Sequence, residues 1–102
     1  MRFVKGSFLI QSHTREADVY DFSIREGWLD TNRQFGFYKH PKIRNRWIAT
    51  DLSTGAWICY YPTRRECAEW VESHLDEIRE GRVNELMIAA AERMREYCAG
   101  AR

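Results

Sequence analysis

The spacing of the hydrophobic positions changes near residue 62. Before it, apolar and polar side chains alternate in short runs, as at Tyr20, Phe22 and Ile24, which is the period of a β-strand. After it, apolar residues return every three or four positions, which is the period of an α-helix. Strands followed by helices are typical of an α+β domain. We therefore predict a four- to five-stranded, mostly antiparallel sheet followed by two C-terminal helices packed on one face.

The strand signals are clearest in the middle of the chain. Two runs rich in β-formers, 46–50 and 56–61, flank a turn cluster, and this order predicts a β-hairpin. Pro62 cannot donate to a ladder and ends the second run. A further strand is predicted over 34–39. Near the N-terminus, the apolar residues of 3–10 flank a Gly-Ser pair, which fits a bulged strand or a small hairpin.

The helical half begins with a capping signal. Thr63 and Glu66 have the spacing of a capping box, so we expect a helix that starts there and ends at about Gly81. A second amphipathic pattern, which includes Leu86, continues to about Cys98. With 102 residues, the chain is predicted to form one domain, β-rich over 1–62 and helical over 63–98.

The composition excludes several classes of protein. The chain is 44% hydrophobic and 30% charged, which is typical of a folded domain and not of a disordered one. It contains no apolar run long enough to span a membrane, and because residues 1–6 show no apolar core followed by a small-residue cleavage site, we expect no signal sequence. Three cysteines without a CxxC pair predict a reduced, cytoplasmic setting in which each cysteine is a small buried hydrophobe.

The net charge of +1 conceals segregated charge. Residues 35–65 hold six basic groups and one acid, whereas residues 66–102 hold nine acids and five arginines. Because the basic block is interleaved with aromatic residues, it fits a surface that binds single-stranded nucleic acid. A charged, solvated sheet edge is the alternative. The candidate nucleic-acid-binding residues are Lys39, Lys42, Arg44, Arg46, Arg64 and Arg65.

The acidic block has a helical order of its own. Four carboxylates advance by three or four positions and therefore share one face of the predicted helix, opposite its apolar face. They are Glu69, Glu72, Asp76 and Glu80, which we call the acidic stripe. Two interpretations stay open. The stripe is either a solvent-exposed face or a row of carboxylates that occupies a basic groove of a protein partner and imitates phosphates.

An aromatic sheet face is a second candidate for partner binding. If Trp47, Trp57 and Tyr60 point away from the helices, they form an apolar patch of the kind that marks a protein interface. The partner would be another protein or a second copy of the chain, since a homodimer through the sheet or the last helix serves equally well.

Catalytic signals are sparse. The chain has no phosphate-binding loop and no GxSxG, and its histidines lack metal-binding spacing. Cys67 and His74 would lie about 10 Å apart along a helix, too far for one metal ion. We therefore predict no cofactor, no metal and no enzymatic activity. The one catalytic alternative is a small metal-free nuclease in which His40 acts as general base.

The hairpin–helix segment carries a resemblance. The run from Trp47 to Gly55, then Ile58 and the residues from Thr63 to Glu66, resembles a pattern in small accessory proteins of phages and mobile elements. In outline it is also similar to the ββα arm-binding modules of phage integrases. The first resemblance implies a single-domain factor of anti-CRISPR or related anti-defence type, which works by binding. The second implies that the basic hairpin contacts DNA.

These observations give a ranked set of functional hypotheses. The first is a non-enzymatic binding protein that inhibits a larger host nucleoprotein or defence complex by protein contact, through the acidic stripe or the aromatic sheet face. The second is a small nucleic-acid-binding module that uses the basic block. The third is the small nuclease.

Overall fold

Five antiparallel strands and three helices make up the computed structural model, which confirms the predicted α+β class. The strands pair in sequence order, β1-β2-β3-β4-β5. The structure describes residues 1–14, 16–17 and 19–100, and of residues 14, 82 and 83 it describes the backbone alone. The elements are β1 (Phe3–Thr14), β2 (Val19–Asp30), β3 (Phe35–Lys39), β4 (Trp47–Asp51), β5 (Trp57–Tyr61), α1 (Arg64–Ser73), α2 (Leu75–Glu80) and α3 (Arg82–Gly100).

The larger core lies between the sheet and the helices. Phe37 and Ala49 on the sheet and Cys67 and Val71 on α1 are fully buried there. The start of α1 is fixed by Thr63, whose hydroxyl accepts a hydrogen bond from the Glu66 backbone N–H, as the capping signal predicts. Cys59 and Cys67 are buried as expected, whereas Cys98 is exposed, so that part of the prediction is wrong.

The first predicted helix is interrupted at His74. The Ser73 hydroxyl donates to the carbonyl groups of Glu69 and Trp70, and the His74 ring also bonds the Trp70 carbonyl. Because these side chains satisfy the last carbonyls of α1, the backbone leaves the helix there and resumes it as α2. The described residues therefore form three helices where the hydrophobic period alone predicted two.

In α3, the apolar pattern predicts a buried face that the structure shows in part. Met87 and Ala90 are buried, whereas Leu86 is 65% exposed. Tyr97 stacks on Phe22 of β2 with ring centroids 4.2 Å apart. The C-terminal half of α3 thus lies against the hairpin formed by β1 and β2.

The hairpin formed by β1 and β2 separates from the rest of the sheet over most of its length. β1 and β2 pair continuously over twelve residues each, without the bulge or the short hairpin considered near Gly6. β2 pairs with β3 through Trp28 and Leu29, near its C-terminal end, whereas its earlier residues pair with β1. We call residues 7–14 and 19–26 the distal hairpin, leaving aside the undescribed side chain of residue 14. Released from β3, it is free to curl over the sheet.

The distal hairpin closes over the face opposite the helices. Phe8 and Ile10 are buried there with Leu29, Tyr38 and Ile48 in a second, smaller core. The ring of Phe8 lies against Gly36, where an added Cβ would be 2.9 Å from it. The sheet therefore buries apolar side chains on both faces.

The side chain of Gln11 holds the hairpin in this position. Its Nε2 donates to the carbonyl oxygens of Thr54 and Ala90, the latter at 2.8 Å, and its Oε1 accepts from Nε of Arg93 at 2.9 Å. The Gln11 backbone N–H also donates to the Gly55 carbonyl. Gly55 has φ +75°, and a Cβ there would lie 2.8 Å from the Leu9 carbonyl, so this approach needs glycine. Gln11 thus joins β1, the β4–β5 turn and α3.

Replacing Gln11 by Ala should destabilise the protein by about 2–3 kcal/mol, because buried partners lose their hydrogen bonds. Urea denaturation followed by circular dichroism measures this change. Ser7→Ala, at an exposed position of the same strand, is the control and should change the free energy of unfolding by less than about 0.5 kcal/mol. Equal stabilities of the two variants would contradict the role given to Gln11.

Candidate nucleic-acid interface

A cleft of about 980 Å³ opens on the face covered by the distal hairpin. One wall is the hairpin with Ser12 and Arg25, and the opposite wall is β5 with Trp57 and Tyr60. α3 closes a third side, and the loop after β3 forms a rim. The buried side chains of the smaller core, Tyr38 among them, form the floor. The cleft exists because the distal hairpin departs from β3.

The charge of the cleft is of one sign. Arg25, Lys42, Arg46 and Arg93 line it, and no Asp or Glu is present among its described lining residues. The nearest acid by strand register is Asp21, which is paired with Ser12 but is exposed and outside the lining. Within the described part of the chain, none of the four cations forms an ion pair. Their charge is therefore uncompensated.

The aromatic wall owes its geometry to a register shift. Trp57 and Tyr60 are three residues apart, which in a regular strand would place them on opposite faces. The pairing between β4 and β5 shifts at Ala49 and Thr50, and both rings line the cleft with centroids 5.7 Å apart. They are 52% and 48% exposed, so their faces are accessible to a ligand. The wall is thus a two-ring platform.

Cations lie close to the aromatic rings of the cleft. The guanidinium of Arg46 lies 4.2 Å from the Tyr60 ring centroid. On the side formed by α3, the guanidinium of Arg93 lies 3.8 Å from the centroid of Tyr20. Stacked cations of this kind keep their charge while their position is fixed. The cleft therefore combines oriented positive charge with accessible rings.

Arg25 has a partly buried guanidinium. It is paired across the hairpin with Phe8 and therefore points toward the smaller core. Its Nε is buried and lacks a hydrogen-bond partner among the described residues. Burial raises the pKa of the neighbouring Tyr38 phenol, and the positive charge of Arg25 partly offsets that rise. Both groups are thus partly removed from water.

His40 is placed at the rim and serves as a turn residue. Its Nδ1 accepts hydrogen bonds from the backbone N–H groups of Lys42 and Ile43, at 3.0 and 2.9 Å. In the neutral ring the proton is therefore on Nε2, which makes that nitrogen a donor. His40 is therefore better placed to donate a hydrogen bond from Nε2 to an anion than to act as the general base of a nuclease.

The six predicted basic residues are distributed over different surfaces. Lys42 and Arg46 line the cleft. Lys39 is exposed and stands in register with Trp47, on the helix side of the sheet. Arg65 pairs with Glu69 at 3.1 Å. Arg44 is exposed and outside the cleft lining.

Arg64, the sixth, is enclosed by aromatic rings on the helix side. Its guanidinium lies 4.6 Å from the ring centroid of Phe3, 4.5 Å from that of Trp28 and 6.0 Å from that of Trp47. These contacts join β1, β2 and β4 to the start of α1. They also account for Trp47, which packs against the larger core, away from Trp57 and Tyr60.

The four carboxylates of the acidic stripe are exposed, and the break at His74 divides them between α1 and α2. Glu69 pairs with Arg65, and Glu72 lies 3.0 Å from the N-terminal amine. Asp76 and Glu80 lie on α2. Part of the stripe is therefore neutralised within the chain, and its role in binding a protein stays a prediction.

Sequence reasoning missed Arg25 and Arg93. Arg25 lies in a segment whose charges cancel, and Arg93 lies in the acidic segment. Tyr20, Phe22 and Ile24 occupy one face of the predicted strand, and alternation places Arg25 on the opposite face. The sequence around Arg25 gives no further signal. Long-range folding brings both arginines to the cleft.

Among the described residues, no cluster of three or more His, Cys, Asp or Glu side chains is arranged to hold a metal ion. In the same part of the chain, no helix is long and apolar enough to cross a membrane.

The positive potential of the cleft predicts a difference between ionic quenchers. Iodide should quench Trp57 fluorescence several-fold more strongly than caesium, because uncompensated cations concentrate anions near the ring. Stern–Volmer titrations at matched ionic strength measure this. In Trp57→Phe the iodide excess should disappear, whereas the control Trp70→Phe, at a ring stacked on His74, should keep it. Equal quenching by both ions would show that the cleft is not electropositive.

Comparison of the chain with protein-family models, with curated proteins and with solved structures gave no match.

Proposed function

We propose that the protein binds single-stranded nucleic acid in the cationic cleft. The observation that carries the proposal is the set of four basic side chains, none paired with a carboxylate of the described chain, in a cleft whose described lining is free of acids. Uncompensated charge in a concave site lowers the energy of an anionic ligand. A nucleic-acid backbone supplies such anions at regular spacing.

The aromatic platform supports a nucleic acid over other polyanions. Bases stack on exposed rings, and Trp57 with Tyr60 offers two adjacent rings beside Arg46. Stacking needs bases that are free of a complementary strand, so the platform favours single strands over a duplex. Surfaces that bind single strands without sequence preference combine this pattern of rings and cations.

Inhibition of a nucleoprotein complex by protein contact is the other proposal. It rests on the acidic stripe and on the resemblance to phage accessory proteins. Glu69 pairs with Arg65, Glu72 pairs with the N-terminal amine, and the break at His74 divides the stripe. For these reasons the acidic stripe has less support as a binding site than the cleft has. The two proposals are also compatible, since a protein that binds a single strand can act on a nucleoprotein complex through it.

The first test uses salt. Fluorescence anisotropy with a labelled single strand should give an affinity that falls with ionic strength. The variants Lys42→Gln and Arg46→Gln should each weaken binding and make the slope of log K against log salt shallower by about 0.7. Lys39→Gln is the matched control, because Lys39 is an exposed cation outside the cleft. If all three variants behave alike, binding does not occur in the cleft, and no binding at low salt would end the proposal.

The second test removes the platform. Trp57→Ala should weaken binding of a single strand by roughly 5- to 150-fold, the range of one lost base–aromatic stack. Since Trp57 is 52% exposed, the thermal unfolding temperature should change little. Tyr97→Leu, at an exposed ring on α3 outside the cleft, should leave affinity intact. If Trp57→Ala does not change the affinity, base stacking on Trp57 does not contribute to binding.

A further inference from the structure

We propose that Arg25 binds a terminal phosphate monoester, so that the cleft recognises a phosphorylated end of the strand. This inference rests on the proposed function and adds the class of ligand. A nucleic-acid strand offers two kinds of phosphate, the internal diester and the terminal monoester. The surroundings of Arg25 in the cleft distinguish between them.

Arg25 differs from the other cations of the cleft in its environment. Lys42 is exposed, and Arg46 and Arg93 stack on rings. Arg25 forms neither an ion pair nor a hydrogen bond with the described residues, and its Nε is buried. A guanidinium that has lost water without gaining a carboxylate is costly to keep. An anion that reaches its remaining N–H groups would remove this cost.

The surroundings of Arg25 limit which phosphate can reach it. Phe8 lies across the hairpin from it, and Tyr38 and Ile48 form the buried floor. An internal phosphate has a nucleoside on each side, and both would have to pack against this buried floor. A terminal phosphate has one connection and can point inward alone, while its nucleoside reaches the platform of Trp57 and Tyr60.

The charge of the site fits a monoester. A phosphate monoester carries about −1.5 to −2 at pH 7, more than the single charge of a diester. Arg25 supplies a planar fork of donors for its oxygens, and the rim adds Lys42 together with the donor Nε2 of neutral His40. The site offers several donors, and its described lining residues include no acid. Both features favour the monoester, which is the more highly charged of the two phosphates.

The experiment compares three labelled single strands of about eight nucleotides, a length within the range of about 4–16 that such sites cover. One carries a 5′-phosphate, one a 3′-phosphate, and one hydroxyl groups at both ends. The wild-type protein should bind one phosphorylated strand at least about tenfold more tightly than the hydroxyl strand, the effect of one charge-assisted contact. Which strand is preferred identifies the end that is recognised.

Variants separate this role from general binding. Arg25→Gln should abolish the preference, because it should weaken the preferred phosphorylated strand at least about tenfold more than the hydroxyl strand, which loses only a general charge. Arg46→Gln, at a cation outside the proposed monoester contacts, should weaken all three strands alike. If Arg25→Gln weakens all three equally, Arg25 is a general contact and the inference is wrong. Arg25→Lys, which keeps the charge and loses the fork, should retain a reduced preference.

A measurement on the wild-type protein keeps the test valid if Arg25→Gln does not fold. At constant ionic strength, inorganic phosphate should lower the affinity for the preferred phosphorylated strand to that for the hydroxyl strand, and should leave the affinity for the hydroxyl strand unchanged. Equal affinities for the three strands, or no selective displacement, would overturn the inference while the proposed function stands. Failure of all three strands to bind would instead overturn the proposed function itself.

Discussion

The hydrogen bonds of one buried amide side chain determine the architecture. Gln11 satisfies carbonyl groups of the β4–β5 turn and of α3 and accepts from Arg93. These partners are far from Gln11 in the sequence, so the contacts form only when the distal hairpin has folded over the sheet. The position of the hairpin then sets the floor, one wall and the third side of the cleft. A polar group that joins its own strand to two distant segments, the β4–β5 turn and α3, favours a single closed arrangement of the fold.

The elements that the sequence predicts well depend on short-range physics. The turn between β4 and β5, the Thr63 cap and the end of α2 at Gly81 each follow from residues a few positions apart. The break at His74 is also local, but it depends on side-chain bonds to carbonyl groups, which a hydrophobic period does not register. The fold class therefore follows from the sequence, and the number of helices does not.

The cleft depends on long-range pairing, and for that reason the sequence predicts only part of it. Lys42, Arg46, Trp57 and Tyr60 are near one another in sequence and were recognised as a basic aromatic block. Arg25 reaches them because β2 leaves β3 after two paired residues, an event with no signature in composition. The net charge of a sequence segment also combines residues that point to opposite faces of the sheet, as Lys39 and Arg46 do. Binding of an anion depends instead on the charge of one surface, which the segment total does not give.

The register shift beside Thr50 makes the cleft sensitive to the number of residues in its strands as well as to their identity. Inserting one residue into β4 opposite the bulge would restore a regular register, in which Trp57 and Tyr60, three residues apart, point to opposite faces. Every ring and charge would still be present in the chain, yet the platform would be gone. The platform therefore depends on the pairing of β4 with β5 as much as on the two rings themselves.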